Sequence, residues 1–274
     1  MGERVVFFVS DQTGVTAETL GHSLLTQFAG QEFRHVTLPF IDSDDKAQEA
    51  VRVIDARADN EDVQPIVFST ILQPDLRDII NRSKGLHLDI FDAFLQPLSA
   101  ELGEAPQFLS GRAHGVSDVE SYMKRIEATN FALANDDGGV SRNYDAADVI
   151  LLGVSRSGKT PTCLYLAMQY GVYAANYPLT EDELESGTLP TILLKQRNKL
   201  FGLTIEPDRL REIRKERRPV GRYATAQQVR FELREAEKIF RRHGIPYVNT
   251  TAFSIEEIAS RILDTTGVER RVRP

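Results

Sequence analysis

Short apolar runs alternate with helix-period segments along the first third of the chain. Runs rich in Val, Ile, Leu and Phe predict strands over residues 4–10, 35–41, 65–70 and 86–91. Segments with apolar positions three or four residues apart predict helices over residues 16–28, 44–59 and 74–84. Strands that are separated by helices are typical of a parallel, doubly wound sheet. The pattern therefore predicts an α/β fold for this part of the chain.

The next stretch loses this periodicity. Residues 96–116 contain prolines and glycines and few apolar residues at helical or strand spacing. Such a composition predicts a connection between two lobes. We place the boundary near residue 105, which gives an N-terminal α/β domain over residues 1–105 and a C-terminal domain over residues 106–274.

A second set of alternating elements fills the C-terminal domain. Predicted helices cover residues 117–136, 163–171 and 225–243, and predicted strands cover residues 149–152, 191–194 and 245–251, with another inside 199–207. Ser or Thr stands three residues before Glu at Thr180–Glu183 and Ser254–Glu257, a spacing that opens helices as a capping box. We predict a second lobe with a mainly parallel sheet and a P-loop kinase-like fold.

The predicted strand at 149–152 runs into the sequence GVSRSGKT, which matches the phosphate-binding pattern of Gly, four residues, and Gly-Lys-Thr. The glycines permit a tight turn, and the helix that follows points unpaired N–H groups at bound phosphates. We predict a nucleotide site with a cationic catalytic group at Lys159 and a Mg²⁺ ligand at Thr160. An ordinary strand-turn-helix corner is the alternative, but such a corner requires neither the Lys nor the Thr. The predicted binding residues are Gly153, Val154, Ser155, Arg156, Ser157, Gly158, Lys159 and Thr160.

Phosphoryl transfer also needs a carboxylate that holds Mg²⁺ or accepts a proton from the attacking hydroxyl. Asp136 and Asp137, in the sequence NDDGG, are the leading candidates, although two acids before two glycines also suit a solvated turn. Asp145 and Asp148 flank the start of the strand at 149–152, so we expect them at the end of that strand opposite the phosphate-binding sequence.

Two further segments carry chemistry that the sequence leaves open. In SDQTG, the side chains of Ser10, Asp11 and Thr13 either bind an anion or a hydroxyl, or cap the first helix. The basic run at residues 209–218 is either a solvated helix face or a clamp for phosphate or for an acidic partner.

Composition narrows the functional classes. The formal net charge of −7 argues against bulk nucleic-acid binding. The longest apolar runs are too short to span a membrane, and the N-terminus lacks the layout of a signal peptide. A single cysteine, Cys163, makes no internal disulfide, so we expect a cytoplasmic protein in reducing surroundings with Cys163 as a buried apolar side chain.

Five segments spread along the chain carry a further signal. They are FVSDQTGVTAETLGHSLLTQF, RIEATNFALANDDG, ADVILLGVSRSGKTPTCLYLAMQYGVYAANYPL, KLFGLTIEPDRL and TTAFSIEEIA. Together they resemble one bacterial family, the regulatory proteins that act on phosphoenolpyruvate synthase or on pyruvate, phosphate dikinase. The resemblance spans nearly the whole chain in colinear order. One departure is the absence of a cysteine in QQVRFELREAEKIF, where members often have one.

The resemblance implies a bifunctional enzyme. One activity is an ADP-dependent Ser/Thr kinase that inactivates its target by phosphorylating a threonine beside the catalytic histidine. The other is a phosphate-dependent pyrophosphorylase that removes this phosphate, with phosphate as co-substrate and pyrophosphate as product. Phosphoenolpyruvate synthase is the favoured partner, and the dikinase is the alternative. The residues alone leave open a small-molecule kinase, a switch-type NTPase and a silent nucleotide sensor, and they leave the choice between monomer and homodimer open.

Overall fold

The computed structural model describes residues 3–60, 63–108, 119–136, 143–217 and 221–272. Contacts between residues divide the chain into two compact units, Met1–Ser117 and Asp118–Pro274. Each unit is built around its own four-stranded parallel sheet. The predicted α/β class with two mainly parallel sheets is confirmed, while the domain boundary near residue 105 stays a prediction.

Unit 1 is a doubly wound sheet. Its strands are β1 (Arg4–Val9), β2 (Phe33–Leu38), β3 (Ile66–Ser69) and β4 (Leu86–Asp89), in the order β2-β1-β3-β4. Its helices are α1 (Val15–Leu25), α2 (Asp44–Asn60), α3 (Pro74–Ile80) and α4 (Ile90–Leu102). One sheet face packs on α1, and the other packs on α2 and α3, because side chains of β1 and β3 alternate between two apolar clusters. A Cβ atom at Gly21 would lie 2.4 Å from Phe8, so α1 crosses the sheet where only glycine fits.

Two predictions in unit 1 are corrected. The strand predicted over 86–91 ends at Asp89, whose carboxylate accepts a hydrogen bond from the backbone N–H of Asp92 at 2.8 Å and so begins α4. The connection predicted over 96–116 therefore starts inside a helix. Pro97 lies within α4, and a proline inside a helical pattern predicts a break, although Phe94, Leu98 and Leu102 keep a four-residue spacing and are exposed.

Unit 2 places helices on both faces of its sheet. The strands are β5 (Val149–Gly153), β6 (Ala174–Pro178), β7 (Leu200–Thr204) and β8 (Tyr247–Asn249), in the order β6-β5-β7-β8. One face packs on α5 (Val119–Ala134), α6 (Lys159–Tyr170) and α11 (Ile255–Thr266). The other face carries α7 (Glu181–Ser186), α8 (Thr191–Leu194), α9 (Pro207–Arg217) and α10 (Ala226–His243). Short 3₁₀ turns cover Arg197–Lys199 and Arg222–Ala224.

The strand predicted over 191–194 is wrong, because these residues form α8. Pro190 precedes the helix, and its carbonyl oxygen accepts hydrogen bonds from the N–H groups of Leu193 and Leu194. Leu193 is fully buried while its neighbours Ile192 and Leu194 are exposed, which a single helical turn also satisfies. Both predicted capping boxes are confirmed, at Thr180–Glu183 and Ser254–Glu257. Within the described residues, no helix combines the length and the apolar character needed to cross a bilayer.

Candidate functional site

The segment Gly153 to Thr160, here called the glycine-rich loop, lies at the carboxyl end of β5, between the neighbouring strands β6 and β7. Every residue of β5 is buried, as expected for a central strand of a parallel sheet. Ligands of open α/β sheets bind at this end of the strands. The backbone N–H groups at the start of α6 are therefore presented where a ligand would lie.

The two glycines of the loop are each required by its geometry. A Cβ atom at Gly153 would lie 2.5 Å from the carbonyl oxygen of Leu203 and 2.6 Å from Ser157 Oγ. Gly158 has a φ of 93° and forms the left-handed N-cap of α6. Arg156 has a φ of 137° without being glycine, and its N–H donates to the Val154 carbonyl oxygen at 2.7 Å. Such strain persists only where the surrounding structure holds it.

Lys159 bends back over the loop. The side chain is only 5% exposed, and its ammonium group donates to the carbonyl oxygens of Gly153 at 3.0 Å and Val154 at 2.8 Å. The positive charge thus lies within the turn that the loop makes. If the loop held a phosphate, the Lys159 ammonium would donate to the phosphate oxygens in place of these carbonyl oxygens.

Arg214 of α9 supports the loop from the protein interior. Its guanidinium is fully buried, donates to the carbonyl oxygen of Ser155 through Nε and Nη2, and pairs with Glu232 at 2.6 Å. The guanidinium also lies 4.3 Å from the ring centre of Tyr223, whose hydroxyl is 2.9 Å from Ser155 Oγ. The loop is therefore fixed at Ser155 through both its carbonyl and its side chain.

This role was missed by both interpretations of the basic run, the solvated face and the phosphate clamp. Arg209 pairs with Glu212, and Lys215 is exposed, so the solvated interpretation holds for these two residues. Arg214 instead follows Leu210 by four residues and shares its buried side of α9. That spacing was the available signal, because a cation at an apolar helix position must find buried partners.

The acid of the site comes from the end of α5. The Asp136 carboxylate accepts hydrogen bonds from Thr160 Oγ1 at 2.8 Å and from Asn176 Nδ2 at 2.5 Å. The structure thus brings two of the predicted site residues together and adds Asn176 of β6, which sequence reasoning missed. Asp137 lies outside the described residues.

Asp145 and Asp148 have structural contacts at the other end of β5. Asp148 accepts a hydrogen bond from the N–H of Tyr173 at 2.8 Å and forms a bidentate ion pair with Arg271. The carbonyl oxygen of Asp145 accepts from Lys199 at 2.8 Å. Both residues precede β5 and thus lie at the end opposite the glycine-rich loop, where they were expected.

In unit 1 the SDQTG segment forms its own turn. Ser10 Oγ accepts from the N–H of Gln12 at 3.2 Å, and Asp11 accepts from the N–H of Leu72 at 3.4 Å. The N-cap of α1 is Gly14, and α1 has no side-chain cap hydrogen bond. The helix-capping interpretation of Ser10, Asp11 and Thr13 is therefore wrong, and anion binding at this segment stays a prediction.

Cys163 lies on α6, one turn after Lys159, and is buried. Burial raises the pKa of its thiol well above the usual range, and the Asp136 charge raises it further, while Lys159 partly offsets both. The thiol therefore stays protonated near neutral pH, as expected of an apolar packing residue.

The parallel α/β sheet, the glycine-rich loop and the Thr160–Asp136 contact are features expected of the α/β proteins that bind phosphate groups. Residues 6–263 match the model of the Kinase/pyrophosphorylase family, and this chain belongs to that family. Relatives from Ectopseudomonas mendocina (strain ymp) and Pseudomonas putida (strain GB-1) are each 54% identical over 99% of this chain and 100% of their own length. A relative from Marinobacter nauticus is 52% identical over 98% of this chain and 99% of its own. All three carry the name "Putative phosphoenolpyruvate synthase regulatory protein".

Proposed function

We propose that this chain is a bifunctional regulator of phosphoenolpyruvate synthase, an ADP-dependent Ser/Thr kinase and a phosphate-dependent pyrophosphorylase. The observation that carries the proposal is the hydrogen bond from Thr160 Oγ1 to Asp136, made beside a buried Lys159 in the glycine-rich loop. The names of the full-length relatives support the choice of target. We also infer a P-loop kinase-like fold for unit 2, because this loop joins a central parallel strand to a helix.

The loop would hold the two phosphates of ADP. Backbone N–H groups at the start of α6 and the Lys159 ammonium are the donors, and both interact with negative charge rather than with the nucleoside. Lys159 is held on the carbonyl oxygens of Gly153 and Val154, so its charge already lies inside the loop that would receive the phosphates.

Thr160 and Asp136 fit a magnesium ion. They place one hydroxyl and one carboxylate side by side, and Mg²⁺ in phosphoryl-transfer sites is held by one or two such groups, the substrate phosphates and water. The ion neutralises phosphate charge when bound. The Thr160 hydroxyl donates its hydrogen bond to Asp136 and accepts one from Asn176, so one lone pair of that oxygen remains for the metal.

The kinase reaction joins the hydroxyl oxygen of a target threonine to the β-phosphorus of ADP. The bond from that phosphorus to the α-phosphate oxygen breaks, AMP leaves, and a carboxylate takes the hydroxyl proton. Asp136 is already occupied by Thr160 and Asn176, so we assign the role of base to Asp137.

The pyrophosphorylase reaction uses the same chemistry with a different nucleophile. An oxygen of inorganic phosphate attacks the phosphothreonine phosphorus, pyrophosphate forms, and the threonine oxygen leaves with a proton from the same acid. Both reactions align two linked phosphorus centres with one threonine oxygen. One set of donors in the loop therefore serves both.

A test uses the activity of the target. Synthase incubated with this protein and ADP should lose activity, and replacing ADP with phosphate should restore it with release of pyrophosphate. Lys159→Ala is the control and should do neither. Loss of activity in pyruvate, phosphate dikinase but not in the synthase would favour the alternative target. ADP-dependent phosphorylation of a metabolite, with neither enzyme affected, would favour a small-molecule kinase.

A further inference from the structure

Asn176 is the buried polar residue in the middle of β6, the strand beside β5. It is only 2% exposed. Its side-chain NH₂ group donates to Asp136 Oδ1 at 2.5 Å and to Thr160 Oγ1 at 3.0 Å. Its backbone N–H donates to the carbonyl oxygen of Asn135 at 3.0 Å. Asn176 therefore contacts the backbone of Asn135, the carboxylate of Asp136 and the hydroxyl of Thr160.

The amide suits this position chemically. It is neutral, so it donates to a carboxylate without repelling it, whereas a second acid there would disfavour the charged form of Asp136. Asn176 Oδ1 is buried and has no hydrogen-bond partner among the described residues. The side chain is therefore oriented by its two donated bonds, and its oxygen is a spare acceptor beside Asp136 and Thr160.

The position also explains where the acid of the site comes from. Strands β6 and β7 flank β5, and neither contains an acidic residue. The carboxylate is brought in from the end of α5 instead, and no β-ladder holds it in register. Asn176 provides the missing connection between that carboxylate and the sheet.

We propose that Asn176 is a positioning residue that keeps the Asp136 carboxylate on the Thr160 hydroxyl and so sets the affinity for Mg²⁺ at the glycine-rich loop. The inference rests on the proposed function, because it requires that the loop bind ADP with Mg²⁺. Asn176 acts through Asp136 and Thr160 and touches neither the phosphates nor the threonine acceptor.

The test measures ADP affinity by calorimetry, with Mg²⁺ and with EDTA, and Mn²⁺ binding to the ADP complex by electron paramagnetic resonance. Loss of a group that orients a metal ligand typically lowers the affinity for the metal about 10- to 100-fold. Asn176→Ala should reduce the gain in ADP affinity that Mg²⁺ provides by that factor. It should weaken Mn²⁺ binding to the ADP complex by the same factor. The affinity for ADP in EDTA should stay within about twofold of wild type.

Thr204→Ala is the matched control. Thr204 is a buried residue of β7, the other neighbour of β5, and its hydroxyl donates to Glu237 at 3.2 Å rather than to the loop. This variant should retain the wild-type Mg²⁺ dependence. Asn176→Ser, which is smaller and keeps a donor, replaces Asn176→Ala if circular dichroism shows that the latter does not fold.

A double-mutant cycle separates positioning from a purely structural role. If Asn176 acts through Asp136, adding Asn176→Ala to Asp136→Asn should weaken Mn²⁺ binding no further than Asp136→Asn alone. Additive losses, an unchanged Mg²⁺ dependence in Asn176→Ala, or an equal loss of affinity with Mg²⁺ and with EDTA would each overturn the inference. Failure of the wild-type protein to bind ADP would contradict the proposed function itself.

Discussion

The carbonyl oxygen of Ser155 accepts two hydrogen bonds from the guanidinium of Arg214, at 3.0 Å from Nε and 2.8 Å from Nη2. Arg214 is fully buried and also pairs with Glu232. A carbonyl that is held in this way cannot rotate, and the next residue, Arg156, keeps its strained backbone. The shape of the glycine-rich loop is thus fixed from the interior before any ligand arrives.

Removing the guanidinium should therefore cost stability and ligand affinity together. Arg214→Ala leaves the mostly buried Glu232 side chain, which is 14% exposed, without its cation, and the loss of one partner of a buried pair typically costs about 3–5 kcal/mol. Urea unfolding should show this loss, and Glu232→Gln in the same chain should recover part of it. The exposed neighbour provides the control, since Lys215→Ala should stay within about 0.5 kcal/mol of wild type. Wild-type stability in Arg214→Ala would show that the buried pair does not hold the loop.

Lys159→Ala should abolish kinase and pyrophosphorylase activity together. The reason is that one ammonium group stabilises the transferred phosphoryl group in both directions. Initial rates of both reactions, measured on protein with a wild-type thermal transition, test this expectation. A well-folded variant that kept either activity near the wild-type rate would refute a shared loop.

The two adjacent acids should separate in their effects. Asp137→Asn should slow phosphoryl transfer by about two to four orders of magnitude and leave Mg²⁺-ADP binding nearly intact, as expected for a base. Asp136→Asn should instead weaken the Mg²⁺-dependent part of ADP binding, because the Thr160 hydroxyl loses its charged acceptor. Binding isotherms and single-turnover rates distinguish the two. Full activity in both variants and in the double variant would leave NDDGG as a solvated turn and move attention to Asp11.

Phosphate and ADP should compete in the reverse reaction. A loop that binds phosphate groups through backbone N–H donors can bind either ligand, because it interacts with their charge and geometry. We propose that one site catalyses both reactions. Pyrophosphorylase rates at several ADP concentrations should show inhibition that more phosphate overcomes. Purely noncompetitive inhibition, with Ser10→Ala or Asp11→Asn impairing only the reverse step, would place phosphate at SDQTG in unit 1.

The local parts of the site could be predicted from the sequence, and its long-range parts could not. Strand β5, the turn and the start of α6 lie within one short segment whose residue types are dictated by backbone geometry, as at Gly153 and Gly158. Asp136 lies 24 residues before Thr160 and 40 before Asn176, so only tertiary packing brings them together. Asp136 was a candidate by elimination, whereas a neutral Asn in a strand gave no signal.

The sequence patterns of α4, α8 and α9 also mislead where the surrounding fold decides the structure. α4 is mostly exposed and contains Pro97, which predicts a break in a helical pattern even though its apolar residues keep helical spacing. In α8 four apolar or β-branched residues suggest a strand, but Pro190 sets the geometry of a single helical turn. Arg214 was grouped with its charged neighbours because charge predicts exposure, and only the buried partners in the fold show otherwise.

Phosphoryl transfer from ADP to the synthase can be followed with ADP that carries ³²P in its β-phosphate. After incubation with this protein, Mg²⁺ and phosphoenolpyruvate synthase, we expect label on one threonine of the synthase, AMP in equal amount, and no transfer with Lys159→Ala. Subsequent addition of unlabelled phosphate should release the label as pyrophosphate. If wild-type protein binds Mg²⁺-ADP but leaves the synthase unlabelled, the proposed kinase activity on this target is wrong.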